Sequence, residues 1–157
     1  RTGIDIAQLA AGIASPDVKG TFDAFVIPRK LPAPAGTVDA KPVYDNAMRV
    51  ARPALQKLYR DTFAKNRLDA LVFPTVPRVA LAAAPEASSP ENFGALIQNT
   101  DPGSNAGIPG VQLPSGLGAT TGLPVGLELD GPAGSDRKLL AVGLAVERVL
   151  GRLPAPK

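Results

Sequence analysis

The sequence predicts an α/β fold, and three observations support this prediction. Helical stripes of apolar residues lie near both ends of the 157-residue chain. The run 68–73, Leu-Asp-Ala-Leu-Val-Phe, is too short for a helix and predicts a buried strand. The apolar runs 111–113 and 124–129, which a glycine- and threonine-rich loop separates, predict a strand pair. The predicted order is therefore helices, a strand, a loop, a strand pair and a closing helix.

The first third of the chain predicts one short helix followed by irregular structure. The apolar residues between positions 6 and 13 share one helical face, with Thr2 or Asp5 available as the cap. Residues 20–41 contain three prolines and Gly36, which oppose a long regular element. We therefore expect irregular structure there, apart from an extended run at 22–27.

The middle of the chain predicts the longest helix. Apolar residues keep helical spacing through residues 42–66. Pro53 within this span predicts either a kink or two helices, with Pro53 near the first turn of the second. Residues 78–90 have little to bury, so we expect an exposed excursion after the strand, and 93–98 predict one or two helical turns.

The stretch 99–130 concentrates glycine, proline and small polar residues. This composition predicts tight, non-repetitive turns between two strands, a kind of segment that commonly lines a site. The second apolar run alternates through Leu127 and Leu129. We therefore expect 124–129 to pair with 111–113 and to be largely buried.

The closing helix is the element with the clearest start and stop signals. It follows a Gly-Pro-Ala-Gly turn, with Ser135 as a suitable N-cap and Gly151 as a suitable C-cap. Its apolar stripe, which runs from Leu139 to Leu150, is the most regular in the chain.

Charge and composition exclude several function classes. The chain has 17 basic and 14 acidic residues, and the basic residues form no run, so we expect no nucleic-acid partner. No apolar stretch approaches the roughly 18 residues of a membrane span, so we expect no membrane partner. The absence of cysteine removes disulfides and thiolate metal sites and fits a reducing compartment, so we expect a cytoplasmic protein. The absence of histidine excludes a Ser-His-Asp triad within this chain.

The candidate nucleophiles are Ser104 and Ser115, since both stand near glycines. Neither matches a strand-turn-helix nucleophile elbow, and no motif links a lysine base to either serine. Glu128 and Asp130 are most simply surface charges or strand-end residues. No loop has an EF-hand pattern, and no glycine cluster follows a strand with dinucleotide spacing. We therefore assign no catalytic residue, no metal site and no cofactor to this chain.

Several motifs follow one another in the order found in the amidase signature family, and the chain resembles the carboxyl-terminal part of that family over most of residues 5–150. The motifs are LDALVFPTVP at 68–77, Asn99-Thr100, NAGIPG at 105–110, LPSG at 113–116, LPVGLEL at 123–129 and the closing helix. The resemblance implies a mixed sheet covered by helices on both sides. It also implies a bacterial amidase that hydrolyses carboxylic acid amides to the acid and ammonia or an amine.

Members of this family use a triad of Ser, cis-Ser and Lys, which belongs to an upstream lysine and a serine- and glycine-rich segment. Neither feature is present in this sequence, so the resemblance carries over no catalytic residue. The resemblance implies six residues near the substrate pocket: the loop residues Asn99, Thr100, Asn105 and Pro109, and the candidate apolar wall Ile97 and Ile108. The alternative role for each of these residues is turn formation or backbone hydrogen bonding.

Two functions remain open. In the first, the upstream half of the same protein supplies the nucleophile and the base, and this chain shapes the pocket for a small amide. In the second, the chain is a non-catalytic structural or interaction domain that retains the family's carboxyl-terminal architecture. We expect residues 1–157 to be the carboxyl-terminal portion of a single amidase signature domain and not an independent domain. We expect the chain to begin within a longer protein and to be inactive alone. We also expect it to expose apolar faces. A homodimer is a further option.

Overall fold

A computed structural model describes residues 3–153, apart from the side chain of Ser88. The chain divides into two compact units, Arg1–Ala51 and Arg52–Lys157. Both units combine helices with antiparallel strands, which confirms the predicted α/β class. Within the described range, no helix has the length and the apolar character needed to cross a bilayer.

The first unit begins with a capped helix. The Oδ1 atom of Asp5 accepts a hydrogen bond from the Gln8 backbone N–H at 2.8 Å, and Gln8 Oε1 accepts one from the Asp5 N–H at 3.0 Å. This reciprocal capping box fixes the helix start. Thr2, the other predicted cap, lies outside the described residues. The elements of this unit are α1 (Ile6–Ala11), α2 (Pro16–Thr21), a π-helical segment (Phe22–Val26), β1 (Lys30–Ala33), β2 (Gly36–Asp39), α3 (Ala40–Asn46) and a second π-helical segment (Ala47–Ala51).

The run 22–27 is helical, so the predicted extended structure is wrong. The Ile27 N–H donates to the Phe22 carbonyl at 3.0 Å, five residues back, which closes a π-helical turn. The apolar residues Phe22, Phe25 and Val26 also have helical spacing. Periodicity cannot separate a short apolar strand from a helical turn, and here the helical turn forms.

A hairpin of β1 and β2 stands where we expected irregular structure. The two strands pair antiparallel, with Pro32 opposite Thr37. A proline is tolerated here because every strand of a two-stranded ribbon is an edge strand. The second strand begins at Gly36, whose φ of 118° is a conformation that side chains disfavour. The prolines of this segment therefore shorten its regular structure without preventing it.

Little of the first unit is buried. Among its described residues, Ala10 is the buried apolar residue, at 5% exposure. Ile6 and Leu9 belong to the same helical stripe and are 53% and 54% exposed. The stripe therefore predicts the helix correctly, but its large apolar residues Ile6 and Leu9 stay exposed.

The second unit begins at the helix that carries Pro53. The helix predicted over 42–66 is divided into α3, a π-helical segment and a further α-helix, and Pro53 is the second residue of that last helix. Residues 40–66 are helical without a break, so the predicted span is confirmed, and Pro53 lies in the first turn of the last segment, as predicted and as suits a proline. The elements of this unit are α4 (Arg52–Asn66), β3 (Leu71–Pro74), a 3-10 turn (Pro85–Ser88), α5 (Pro90–Ile97), α6 (Asp101–Ala106), β4 (Gly110–Leu117), β5 (Pro124–Asp130) and α7 (Asp136–Leu150).

The central strand of the second unit is β5, in a three-stranded antiparallel sheet with the order β3-β5-β4. Val111 lies opposite Leu129, and Leu113 lies opposite Leu127, which confirms the predicted strand pair. Leu129 is 1% exposed, whereas Leu127 is only half-buried. The expected burial therefore holds at the end of β5 and is wrong for the run as a whole.

The strand predicted at 68–73 begins later, at Leu71. The Leu68 N–H donates to the Phe63 carbonyl at 3.0 Å, and Arg67 has a φ of 53°. These residues therefore belong to the end of α4, and only the last part of the apolar run is left to form β3.

Helix α7 packs on β4 and β5. Leu139 is 2% exposed, and a Cβ atom added to Gly143 would lie 3.5 Å from Val111 Cγ1, an ordinary contact distance, so the helix lies close against the strand here. The helix follows Ser135 and ends before Gly151, as predicted. The Ser135 side chain makes no capping hydrogen bond.

Residues 101–106 form α6, so the non-repetitive turns predicted from residue 99 onward are wrong here. Asp101 and Pro102 occupy the first turn, where an acid and a proline are favoured. Gly107 ends the helix with a φ of 73° and donates its N–H to the Gly103 carbonyl at 2.9 Å. A composition typical of turns therefore contains a helix with suitable start and stop residues.

The excursion 78–90 is exposed for the most part, as expected, and contains the 3-10 turn. It ends where the Ser89 hydroxyl accepts a hydrogen bond from the Asn92 N–H at 3.3 Å and caps α5. The helical turns predicted at 93–98 are confirmed, and the helix starts earlier, at Pro90.

Candidate functional site

The six residues predicted near a pocket lie on one stretch of the second unit, between the end of α5 and the start of β4. All of them are half-buried except the one inside α6, which is exposed. Along the chain they are Ile97 at the end of α5, Asn99 and Thr100 before α6, Asn105 in α6, and Ile108 and Pro109 before β4.

Asn99 ties this stretch to the sheet. Its Nδ2 atom donates to the carbonyl of Pro74, the last residue of β3, at 2.8 Å. The next backbone N–H, that of Thr75, donates to the Gly126 carbonyl of β5 at 3.1 Å. The turn between α5 and α6 is therefore held beside the carboxyl end of β3.

Thr100 and Asn105 make local hydrogen bonds. The Thr100 hydroxyl donates to the Ile97 carbonyl at 3.3 Å, at the end of α5. Asn105 Nδ2 donates to the Asp101 carbonyl at 3.0 Å, one helical turn back. Both side chains thus have the backbone role that was the alternative for them, and their contact with a substrate stays a prediction.

Two side chains of α4 hold the end of α6. Arg52 Nε donates to the Asn105 carbonyl at 3.0 Å, and Gln56 Nε2 donates to the Ala106 carbonyl at 2.9 Å. The last carbonyls of a helix lack partners within the helix, so these donors satisfy two of them. A Cβ atom at Gly107 would lie 3.0 Å from Arg52 Nη2, so glycine also leaves space for the arginine.

A groove of about 550 Å³ lies between α4, the end of α6 and the turn before α7. The rings of Tyr59 and Phe63 line it, stacked with their centroids 6.4 Å apart. Arg60 and the apolar residues Leu68 and Ile108 also line it. Of the six predicted residues, Ile108 alone is among the described residues that form this wall. A mostly apolar lining with few polar groups is typical of small-molecule sites.

Asp130 is a buried acid that the sequence analysis missed. It is 5% exposed, so the surface interpretation is wrong for Asp130, whereas the strand-end interpretation is confirmed because Asp130 is the last residue of β5. Glycines lie against its carboxylate: a Cβ atom added to Gly103 of α6 would lie 2.5 Å from Asp130 Oδ2. One sequence feature could have indicated this burial: Asp130 is an acid at the end of an alternating strand, and its partner on β4 is a glycine, Gly110.

The pKa values of Asp130 and Tyr59 are raised, chiefly by burial. Burial raises the pKa of Asp130 to about 6, and the negative charge of Glu128 adds to this. Burial also raises the pKa of the Tyr59 hydroxyl, with a smaller contribution from the Asp130 carboxylate. Among the described residues, no positive charge therefore offsets the desolvation of the Asp130 carboxylate.

The described part of the chain brings no nucleophile and base together. Ser104 lies within α6, and the Ser115 hydroxyl donates to the Val125 carbonyl at 3.2 Å. The lysine ammonium groups that form hydrogen bonds there do so with aspartates and not with these serines. A group of three or more acidic residues that could hold a metal ion is also absent from these residues. The arrangement supports binding and positioning.

Comparisons with known proteins identify relatives that hydrolyse amides. The chain is 44% identical to mandelamide hydrolase of Pseudomonas putida over 99% of this chain and 31% of that protein. It is 38% identical to indoleacetamide hydrolase of Rhizobium radiobacter over 94% of this chain and 31% of that protein. The indoleacetamide hydrolase of Agrobacterium vitis matches to the same extent, at 38% identity over 94% of this chain and 31% of that protein.

The fold has a relative among solved structures. A crystal structure of an amidase superposes with a TM-score of 0.66 and 28% identity over 93% of this chain and 31% of that one. The chain therefore spans about a third of the length of the proteins that it matches most fully, and its fold is part of an amidase domain. The family model described as Amidase matches residues 27–140. This chain belongs to the amidase family.

Proposed function

We propose that this chain, as a member of the amidase family, is part of an enzyme that hydrolyses carboxylic acid amides to the acid and ammonia or an amine. The observation that carries the proposal is the 44% identity to mandelamide hydrolase, which extends over 99% of the chain. The indoleacetamide hydrolases support the same reaction type. The substrate that we propose is a small-molecule amide.

The bond-breaking groups belong, in this proposal, to the part of the polypeptide that is absent from this chain. Hydrolysis of an amide needs a nucleophile that loses a proton to a base, and donors that hold the developing oxyanion. We propose that the upstream half of the same protein supplies them as a Ser-cisSer-Lys triad. The chain spans 31% of mandelamide hydrolase, so the proposal leaves ample sequence for such a segment.

The role of this chain is to shape the pocket. The turn with Asn99 and Thr100 is fixed by the hydrogen bond to Pro74, so its exposed atoms can present a rigid surface to a substrate. Ile97 and Ile108 supply apolar area beside it. Residues of this kind contribute mainly to binding and orientation, and an amide held in one orientation reacts faster with a fixed nucleophile.

The alternative is a non-catalytic structural or interaction domain with the same architecture. The observation that favours it is the internal use of the polar candidates, since Asn99, Thr100 and Asn105 all donate to backbone carbonyls. In that case, substitution of these three residues changes the free energy of unfolding and no catalytic parameter.

Hydrolysis of mandelamide, indoleacetamide and an aliphatic amide separates the two functions. We expect no activity from the 157-residue chain and activity from the longer polypeptide that the proposal requires. In that polypeptide, Thr100→Ala should change KM or the preference among the three amides several-fold more than kcat, because a lining residue acts on binding. Thr120→Ala, an exposed threonine with no side-chain hydrogen bond among the described residues, is the matched control.

Each outcome of this experiment decides one question. Activity of the 157-residue chain alone contradicts the division of the site between two segments. An inactive longer polypeptide supports the structural alternative. A Thr100→Ala enzyme that behaves like Thr120→Ala with all three amides removes Thr100 from the pocket and leaves the family membership unchanged.

A further inference from the structure

Two carboxylates converge on one point beside the end of β5. Glu128 and Asp130 are two residues apart on a strand, so their side chains project from the same face. Gly110 lies opposite Asp130 on β4. Glu128 Oε1 and Asp130 Oδ1 lie 2.7 Å and 3.0 Å from the position that a Cβ atom of Gly110 would occupy. The space that this glycine leaves open is therefore bordered by two acids.

Neither acid has a hydrogen-bond or ion-pair partner among the residues that the structure describes. The ion pairs found there use the aspartates at positions 23, 45, 61 and 69. Arg52 reaches α6 from α4 but donates from Nε to the Asn105 carbonyl. Asp130 is only 5% exposed, and an ionised carboxylate buried to that degree costs free energy unless a cation or donors meet it.

The groups that face Asp130 from the elements around it carry no positive charge. On β5 the group that faces Asp130 is the Glu128 carboxylate. On α4 the group that faces Asp130 is the Tyr59 hydroxyl. On α6 and β4 the residues beside Asp130 are glycines, Gly103 and Gly110. From β3 the paired residue is Leu71. Among the described residues, the surroundings of Asp130 are therefore acidic or uncharged.

A second observation on the same face also indicates a missing partner. The Thr75 hydroxyl is buried and has no hydrogen-bond partner among the described residues. It lies 2.8 Å from the Cβ position of Gly126, which is the next position on this face of β5 before Glu128. The Gln112 amide lies against the same position. Unpartnered polar atoms therefore extend along this face, whereas α7 covers the opposite face at Val111.

We propose that Glu128 and Asp130 together hold one cationic side chain, a guanidinium or an ammonium group, carried by the part of the amidase polypeptide that is absent from this chain. The inference rests on the proposed function, because that function requires such a part. Charge complementarity selects the occupant: ionised carboxylates only accept hydrogen bonds, and a guanidinium group donates several in a fixed geometry. A neutral occupant could donate hydrogen bonds but would leave two neighbouring negative charges without a counter-charge.

The test compares thermal unfolding of the longer polypeptide with that of its Asp130→Asn variant near neutral pH. We expect Asp130→Asn to lower Tm by several degrees, because it leaves a buried cation without its counter-charge. Asp69→Asn removes an exposed ion pair with Lys138 and is the matched control, with no resolvable change expected. A rise in Tm for Asp130→Asn overturns the proposal, since it means that the acid has no cation.

A second measurement needs no variant of Asp130. In the longer polypeptide, labelled with ¹³C at the aspartate carboxyls, a bound cation should hold the pKa of Asp130 below its ordinary value. We then expect no aspartate signal that titrates near pH 6. Such a signal, shifted in Glu128→Gln, would show an unpaired acid and overturn the proposal. A chelator that lowers the Tm of the parent protein would assign the pair to a metal ion and also overturn it.

Amide hydrolysis measured on the same samples separates this inference from the proposed function. An active parent protein whose Asp130→Asn variant has a raised Tm disproves the ion pair alone. An inactive parent whose variant has a lowered Tm disproves the function and supports the ion pair.

Discussion

The two units of the chain use similar sequence patterns but bury very different amounts of apolar surface. In the second unit, Phe63, Leu129 and Leu139 are 5% exposed or less. In the first unit, Tyr44 and Val50 are 61% and 60% exposed, although each lies in a helical segment with apolar neighbours. The second unit has a three-stranded sheet against which a helix can pack, and the first has a short hairpin. Apolar patterning therefore indicates which elements form, and a packing surface decides whether they become a core.

The exposed apolar residues of the first unit agree with the proposal that more of the polypeptide packs there. Exposed apolar side chains, where they lie together, usually mark an interface. The comparison predicts that substitutions in the second unit act on the stability of this chain, whereas equivalent substitutions in the first do little until its partner is present.

The largest difference is expected for a pair of apolar strand residues. Leu129→Ala should lower the free energy of unfolding by about 2–5 kcal/mol, because it leaves a cavity in the core. Val38→Ala, on β2 of the first unit and 43% exposed, should cost less than about 0.5 kcal/mol. Urea unfolding of the 157-residue chain, followed by far-UV circular dichroism, measures both. Equal losses would show that the two units do not differ in packing.

The next effect comes from the buried acid of the second unit. The folded pKa of Asp130 is about 6 against an ordinary value of 3.8, so folding loses stability as the pH rises through this interval. Asp130→Asn should therefore stabilise the 157-residue chain by at most about 3 kcal/mol near pH 7.5 and by little near pH 4. Urea unfolding at the two pH values measures the gain.

The matching acid of the first unit should behave in the opposite way. Asp17 is exposed, and a hydrogen bond from the Ser15 hydroxyl lowers its pKa. A carboxyl whose pKa is lower in the folded than in the unfolded protein stabilises the fold at pH values above the unfolded pKa. Asp17→Asn should therefore reduce stability slightly near neutral pH and not at acidic pH. A gain from Asp17→Asn, or no pH dependence for Asp130→Asn, would contradict the assignment of the two environments.

The elements predicted correctly from the sequence are those whose signals are local. Alternation placed β5 against β4, and cap residues placed α7 between Ser135 and Gly151. The hairpin and α6 were missed because proline and glycine were taken as breakers, although they occupy positions where these elements tolerate them, as Pro102 does in the first turn.

The candidate site was predictable only in part, for a physical reason. The motifs located the stretch around Asn99, but its hydrogen bond to Pro74 joins residues 25 positions apart and leaves no local signal. The burial of Asp130 likewise depends on glycines of two other elements. A charge in a strand is placed on the surface or in the interior by what packs over it, and the strand's own sequence does not contain that information.

The last comparison concerns two glycines in short helices, one in each unit. A Cβ atom at Gly20 of α2 would have no atom within 4 Å. Gly20→Ala should then gain about 0.5–1 kcal/mol, because alanine loses less backbone entropy in a helix. At Gly103 of α6 the same atom would lie 2.5 Å from Asp130 Oδ2 and 3.3 Å from Cγ. That side chain is short and buried, so α6 or β5 must move.

Overpacking of this kind costs about 1–3 kcal/mol, which exceeds the gain of roughly 1 kcal/mol in helix propensity. Gly103→Ala should therefore destabilise the 157-residue chain while Gly20→Ala stabilises it, as measured by their urea midpoints. The opposite signs would come from surroundings alone, since both changes add one methyl group to a helix. If Gly103→Ala were as stabilising as Gly20→Ala, α6 would not lie against Asp130, and the acid would owe its burial to something other than this helix.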